Sequence, residues 1–434
     1  MSLLDANLPN NRRWMRVGDY YAITKKPRGM DMSFFSLIPF APMGAIPQGG
    51  EYDASYTLKP FSDIASGTYF EKGDILIAKI TPSFENGKQS LALNLPADFG
   101  YATTEIIPLH PINNEQDRRL LFFYLLHPDI RSYVAEKMEG STGRQRVPER
   151  VLLDLPFPQI DKDDQKIIAD SLYLIQKSLK KEIDAQKNSI ELKRATMREL
   201  FTRGLKGEAQ KETEIGQIPQ NWDVKKLSEI CNVLPGYAFK SKEYKNNGVR
   251  LFKIANVSFG VTDWQDISFL PENFLEKSKK FNLYEGDIVM AMTRPVVQGG
   301  IKVARIIKED TPALLNQRVC KIIPKNISSN YIYQIMFTNW FIDGIQLGAG
   351  GSQQPNISAA KIGLIKVPVP KDPIEQCEIA QILNAIDRKI DLHKRKKAVL
   401  EELFKSLLHK LMTGEIRVSD LDLSILNYHE EAGA

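Results

Sequence analysis

The chain has few cysteines and no long apolar run, and each shortage excludes a class of protein. Its three cysteines, Cys231, Cys320 and Cys377, stand far apart in 434 residues. That spacing supports neither a disulfide framework nor paired zinc ligands, so they read as buried or incidental thiols. No stretch of about 18 apolar residues occurs, so no transmembrane helix is expected. The opening MSLLDANLPNNRRW has no basic segment leading into an apolar one; no secretory leader is read there, and the expected location is cytoplasmic.

Catalytic signatures are missing as well. The five histidines, His110, His127, His393, His409 and His429, show no metal-ligand spacing, and no metal site is nominated. No G-x-x-x-x-G-K-[ST] loop is present, and Gly348, Gly350 and Gly351 do not form G-x-G-x-x-G. An Asn-Pro-Pro-aromatic adenine-methylation motif is absent. Glu191-Leu192-Lys193 spells a nuclease E-x-K in letters only, because it lies inside a long helical pattern. With no catalytic residue to nominate, the chain by itself reads as non-enzymatic.

What is present is a globular composition, 43% hydrophobic and 26% charged, with a net charge of +5 that permits an anionic partner without requiring one. The length suggests two or three domains. The chain also repeats itself. Lys72-Gly73-Asp74-Ile75-Leu76-Ile77-Ala78 matches Glu285-Gly286-Asp287-Ile288-Val289-Met290-Ala291, and both lead to a proline, Pro82 and Pro295, 213 residues apart. Asp164-Gln165 with Ile168-Ala169 matches Glu375-Gln376 with Ile379-Ala380, now 211 apart, and Leu200 falls on Leu411. Weaker echoes between these anchors keep the same order, as loop insertions in a duplicated unit would leave them.

Each half reads as a mixed α/β globule followed by a long helix. The Gly-Asp segments are of strand type, Leu120 to Leu126 and Tyr331 to Phe337 read as apolar helices, and glycine-bearing loops follow at 140–143 and 348–351. From about Asp163 to Thr202 and from Ile374 to Thr413 there is neither proline nor glycine. In the second stretch Ile379, Leu383, Ile386, Ile390, His393, Lys397, Leu400, Phe404, Leu407 and Leu411 recur at alternating steps of four and three, a coiled-coil seam. The first opens with the equivalent Ile168, Leu172, Ile175 and Leu179, then drifts to Ile183, Ile190 and Met197. Two such stripes are expected to bury each other, and related halves would make the helices antiparallel. The domains read as 1–160 (first globule), 161–204 (first helix), 205–217 (linker), 218–371 (second globule), 372–414 (second helix) and 415–434 (tail).

This layout resembles the specificity subunits of type I restriction-modification enzymes. The resemblance extends to IPQNWDVKKLSEI, GDIVMAMTRP, GSTGRQRV, GGSQQPNIS, VPVP, EQCEIAQIL and LMTGEIRV, and covers roughly residues 10 to 420. It implies an α/β (α+β) fold of two similar target recognition domains, each followed by a long helix, the two helices forming an antiparallel coiled coil with pseudo-two-fold symmetry. It implies also that the chain binds a bipartite, asymmetric site on double-stranded DNA and holds two methyltransferase subunits, which restriction-translocase subunits join. S-adenosylmethionine, ATP and Mg then belong to those partners, and no cofactor to this chain. The alternatives are the specificity subunit of a related system with nuclease and methylase fused in one partner, or a coiled-coil interaction scaffold with no DNA role.

Candidate DNA contacts fall in three places. Arg144, Gln145 and Arg146 offer guanidiniums for guanine or phosphate and an amide for adenine; Gln353, Gln354 and Asn356 offer amides in the second half. The segments after the Gly-Asp strands carry Lys79 and Lys88, and Arg294 and Lys302, placed for phosphates. Tyr237, Lys240 and Lys242 mix aromatic and basic character. The same loops would serve equally to close the following strand. The basic run 393–397 reads as a partner for Glu182 and Asp184 of the first helix, or as a solvated face.

Overall fold

In the computed structural model, which describes residues 13–31, 34–141, 143–350 and 355–421, the two Gly-Asp segments become equivalent strands. All four residues of Ile75–Ala78 are buried. Ile75 and Ile77 join a core with the helices Arg118–Tyr124 and Pro128–Glu136, whereas Leu76 and Ala78 meet Ala41, Phe70 and Ala102 of a second sheet. A strand covered on both faces needs an unbroken apolar run, which is what the sequence supplies. Its sheet has the order Tyr21–Ile23, Ile106–Pro111, Ile75–Ala78, Gln89–Leu91, antiparallel throughout. The second sheet runs Thr57–Lys59, Ile38–Ala41, Phe99–Ala102, Thr68–Glu71, with one parallel pairing, between 38–41 and 99–102.

The second half repeats this plan element by element. Ile288 and Met290 of Ile288–Ala291 face the helical core, while Val289 and Ala291 face Phe252, Ala313 and Leu315. The sheet orders are Cys231–Pro235, Val319–Pro324, Ile288–Ala291, Val303–Arg305 and Phe269–Leu270, Val249–Phe252, Ala313–Leu315, Asn282–Leu283. The repeated Gly-Asp has a structural use in both copies. Gly73 and Gly286 each hold φ at +88°, where a side chain would be strained. Asp74 accepts the Glu71 N–H at 2.8 Å and Asp287 the Tyr284 N–H at 2.9 Å, closing the same turn.

The chain divides into two compact units: everything up to Ala185 together with everything from His393 on, and Gln186–Leu392 between them. The long helices, Lys162–Arg203 and Pro373–Thr413, are therefore each shared by both units. In the first unit, Ile168, Ala169 and Leu172 of the first helix share a core with Phe404, Leu408, Leu411 and Met412 of the second. Further along, His393 Nδ1 lies 2.6 Å from Glu182 Oε2. Early residues of one helix thus meet late residues of the other, and the two run antiparallel there. The second unit pairs Met197, Leu200 and Phe201 with Ile379, Ala380 and Leu383, and Lys193 Nζ with Asp387 at 2.7 Å.

Burial along the helices broadens the expected stripe. Leu179 is buried and Ile175, Ile386, Ile390, Leu400 and Leu407 are half-buried, while Leu408, outside the 4-3 line, is wholly buried. Each helix faces a globule as well as its partner, so its apolar surface is wider than a seam. Ile183, on the drifting line, is exposed.

Two stretches read as irregular are ordered hairpins. Within the expected linker, 205–217, lies Gln210–Thr213, which pairs with Gly216–Pro219 at the start of the expected second globule, and the glycine loop after Pro128–Glu136 is Glu139–Ser141 paired with Arg144–Arg146. Backbone pairing on a surface open to water needs no apolar alternation, so neither hairpin leaves a hydrophobic signature. Cys231 and Cys320 are buried and Cys377 is exposed. Among the described residues no helix is long and apolar enough to cross a membrane.

Candidate nucleic-acid interface

Antiparallel pairing decides which loops meet. In the first unit the end of Ile75–Ala78 lies beside the starts of Ile106–Pro111 and Gln89–Leu91. Lys79 N–H donates to Glu105 O at 2.9 Å, and Ala78 N–H to Lys88 O at 3.1 Å. The hairpin strand Arg144–Arg146 closes over the same edge: Thr81 N–H donates to Gln145 O at 3.0 Å and Val147 N–H to Lys79 O at 2.8 Å. Two of the nominated segments, 79–88 and 144–146, are therefore one surface. Arg144 and Arg146 are exposed there, while Lys79, Lys88 and Gln145 are half-buried. Lys88 gives one of its three ammonium donors to Met43 O at 3.0 Å, which steadies the side chain.

Arg146 is also engaged. Its Nε donates to Glu105 Oε2 at 2.9 Å and its Nη2 to Glu105 Oε1 at 2.6 Å, a bidentate pair. The hydrogen bonds from Arg146 hold the Glu105 carboxyl below the usual range for a glutamate.

The second unit builds the equivalent surface. Met292 N–H donates to Arg318 O at 2.9 Å, Ile357 N–H to Met292 O at 2.9 Å and Arg294 N–H to Pro355 O at 2.8 Å. Position for position, Asn356 stands where Arg146 does, and Arg318 where Glu105 does: Ile80 bridges to Arg146 as Thr293 does to Asn356. Lys302, the counterpart of Lys88, receives the Ala291 N–H on its carbonyl at 3.0 Å. Between them the chain turns through a small hairpin, Val296–Val297 with Gly300–Ile301, in which Gln298 and Gly299 take φ of +51° and +77°. Tyr237 joins this edge through its N–H to Leu315 O at 3.0 Å and is exposed, as are Lys240 and Lys242 on the turn that follows. Gln353 and Gln354 lie outside the described residues.

Sequence reasoning missed Glu105, Arg318 and the exposed Lys25, Lys26 and Arg28. The last three follow Tyr21–Ile23, which runs in the same direction as Ile75–Ala78 and so leads toward the same edge. The duplication held the signal, since the nominated Tyr237 segment follows the equivalent strand Cys231–Pro235. The basic run at 393–397 does pair with the first helix, His393 and Lys396 both reaching Glu182, while Asp184 pairs instead with Lys180 of its own helix.

One group of potential metal ligands was invisible in the sequence: His127, Asp129 and His409 converge within 4.8 Å. Hydrogen bonds join the two rings and tie the first to the backbone of Asp129. His127 Nδ1 accepts the Asp129 N–H at 3.2 Å, which leaves its Nε2 protonated to donate to His409 Nδ1 at 3.0 Å. Burial lowers the His127 pKa to about 4, keeping the ring neutral.

Residues 219–402 match a family model described as the type I restriction modification DNA specificity domain. The type I restriction enzyme MjaVIII specificity subunit of Methanocaldococcus jannaschii is 32% identical over 330 residues, 74% of this chain and 76% of its own length. The EcoAI specificity subunit of Escherichia coli is 26% identical over 456 residues, 86% of this chain and 76% of its own length. The crystal structure of the type I restriction-modification S subunit from M. genitalium shares the fold, with a TM-score of 0.60 at 16% identity over 95% of this chain and 99% of that one.

Proposed function

Because the chain belongs to the family of type I restriction enzyme specificity subunits, we propose that its two basic sheet edges are the surfaces that read DNA. As the DNA specificity subunit of a type I restriction-modification system it selects the sequence and leaves the chemistry to other subunits. The observation that carries the reading is the coincidence, in both units, of the nominated cationic and amide side chains on one equivalent edge. Each domain takes one half of a bipartite target. The halves differ because Arg146 and Glu105 are replaced by Asn356 and Arg318 in the second copy. The paired helices carry two methyltransferase subunits, and restriction-translocase subunits join them. S-adenosylmethionine serves the former as methyl donor to adenine, and ATP with Mg serves the latter.

The test is selection of duplexes from a random pool by the chain in complex with its methyltransferase partner. The expected result is one asymmetric motif in two parts, bound more weakly as salt rises because phosphate contacts release counterions. Saturable binding with no enriched motif, or none at all, would leave the long helices as a protein scaffold and remove DNA reading.

A further inference from the structure

The side of Arg146 that Glu105 occupies determines which side it leaves open. A guanidinium presents two forked edges, one through Nε and Nη2 and one through Nη1 and Nη2. Glu105 takes the first edge with both oxygens, at 2.9 and 2.6 Å. The second edge makes no hydrogen bond to a described residue, and about half of the Arg146 side chain is exposed. Its backbone is fixed too, since the hairpin strand is pinned to Thr81 and Lys79 on both sides of residue 146. A long side chain held at its base and along one edge has lost most of the rotamer freedom that binding would otherwise cost.

Guanine is matched to the edge that remains. Its O6 and N7 are two acceptors side by side in the major groove, the pattern that an arginine fork recognises bidentately; adenine replaces one of them with a donor. A phosphate would also accept from the fork, but the neighbouring Glu105 carboxylate repels phosphate oxygens. An uncharged base edge escapes most of that repulsion. We propose that Arg146 reads a guanine in the half-site of the first domain and that Glu105 is its positioning residue. This inference rests on the DNA-reading assignment of the same edge. In the second domain the equivalent Asn356 has the amide suited to adenine, so the same structural position specifies different bases in the two half-sites.

The experiment selects duplexes from a pool randomised over both half-sites, using the full chain with its methyltransferase partner, for wild type, Arg146→Ala, Arg146→Lys and Glu105→Gln. Arg146→Ala should lose preference for guanine at a single position by roughly 5- to 150-fold, leaving the other half-site unchanged, and Arg146→Lys, whose ammonium can still donate to O6 and N7 but has no second forked edge for Glu105 to hold, should lose less at that same position. Glu105→Gln should blur the same position and no other while overall affinity holds or rises, because a negative charge leaves the DNA surface. That single-position readout is one that a merely structural role of Glu105 would not move. A loss spread evenly over all sequences, with the salt dependence reduced by about one phosphate contact, would make Arg146 a backbone contact and overturn the proposal. If wild type itself selects no motif, the DNA-reading assignment falls, and this inference with it. If wild type selects a two-part motif without guanine in the affected half-site, only this inference falls.

Discussion

Two buried ionisable side chains of the first unit make its stability depend on pH in opposite senses. Burial raises the Asp74 carboxyl from 3.8 to about 6, although the Glu71 N–H works against it. The native state therefore holds this proton more tightly than the unfolded chain does. Its stabilising share is present below pH 3.8 and is lost as pH rises through about 6. His127 is the reverse: burial lowers it from 6.5 to about 4, so its contribution is present above pH 6.5 and is lost as pH falls through about 4. Between these limits the two offset each other. Asp74→Asn keeps an acceptor for Glu71 and removes one slope. It should be more stable than wild type at pH 7.5, by on the order of 2–3 kcal/mol, and converge with it near pH 4 in urea unfolding. A variant weakened equally at both pH values would show that the turn needs the charged carboxylate. The chemistry of the edge proposed to read DNA stands out in part at this scale: Arg144, Arg146 and Asn356 are conspicuous by residue type. Glu105 is not, because it lies 41 residues before Arg146 and only the sheet register brings them together.

The elements divide into those whose physics is local and those whose physics is not. The long helices could be read almost to the residue, Lys162–Arg203 and Pro373–Thr413, because forty residues without a breaker and with a sustained apolar period have few other ways to fold. The strands around Gly73 and Gly286 were legible because the duplication presents the same apolar run twice. The hairpins at 139–146 and 210–219 were not, since their stability comes from main-chain pairing and not from side-chain pattern. Leu408 shows what the 4-3 line misses: it is wholly buried between the second helix and the first globule. Leu408→Ala and Leu172→Ala should each cost about 2–5 kcal/mol, whereas Leu192→Ala, at a half-exposed position, should cost under about 0.5 kcal/mol. Chemical denaturation gives the comparison; a mild Leu408→Ala would mean that the helix contributes little to that core.

For the whole molecule the consequential fact is that the first unit is discontinuous in sequence. Phe404, Leu408, Leu411, Met412 and Val418 close a core otherwise built from residues before Ala185. At the 211-residue offset, Leu408, Leu411 and Met412 correspond to Met197, Leu200 and Phe201, which do the same work in the second unit. A chain ending at Gly207 lacks the first set but retains the second. It should dimerise, each copy lending Met197, Leu200 and Phe201 to the other, and bind an inverted repeat of the first half-site. Sedimentation velocity checks this: a well-folded monomer at high concentration would mean that the missing helix segment is dispensable.

The same discontinuity imposes an order on biosynthesis. A ribosome makes the residues up to Ala185 early, but Phe404, Leu408, Leu411 and Met412, which seal their core, are added only after the whole of Gln186–Leu392. The second unit, contiguous from Gln186 to Leu392, has all its residues well before then. Of the two units, the one begun earlier is thus the later to be completed, and its core lacks a wall until the helix Pro373–Thr413 emerges.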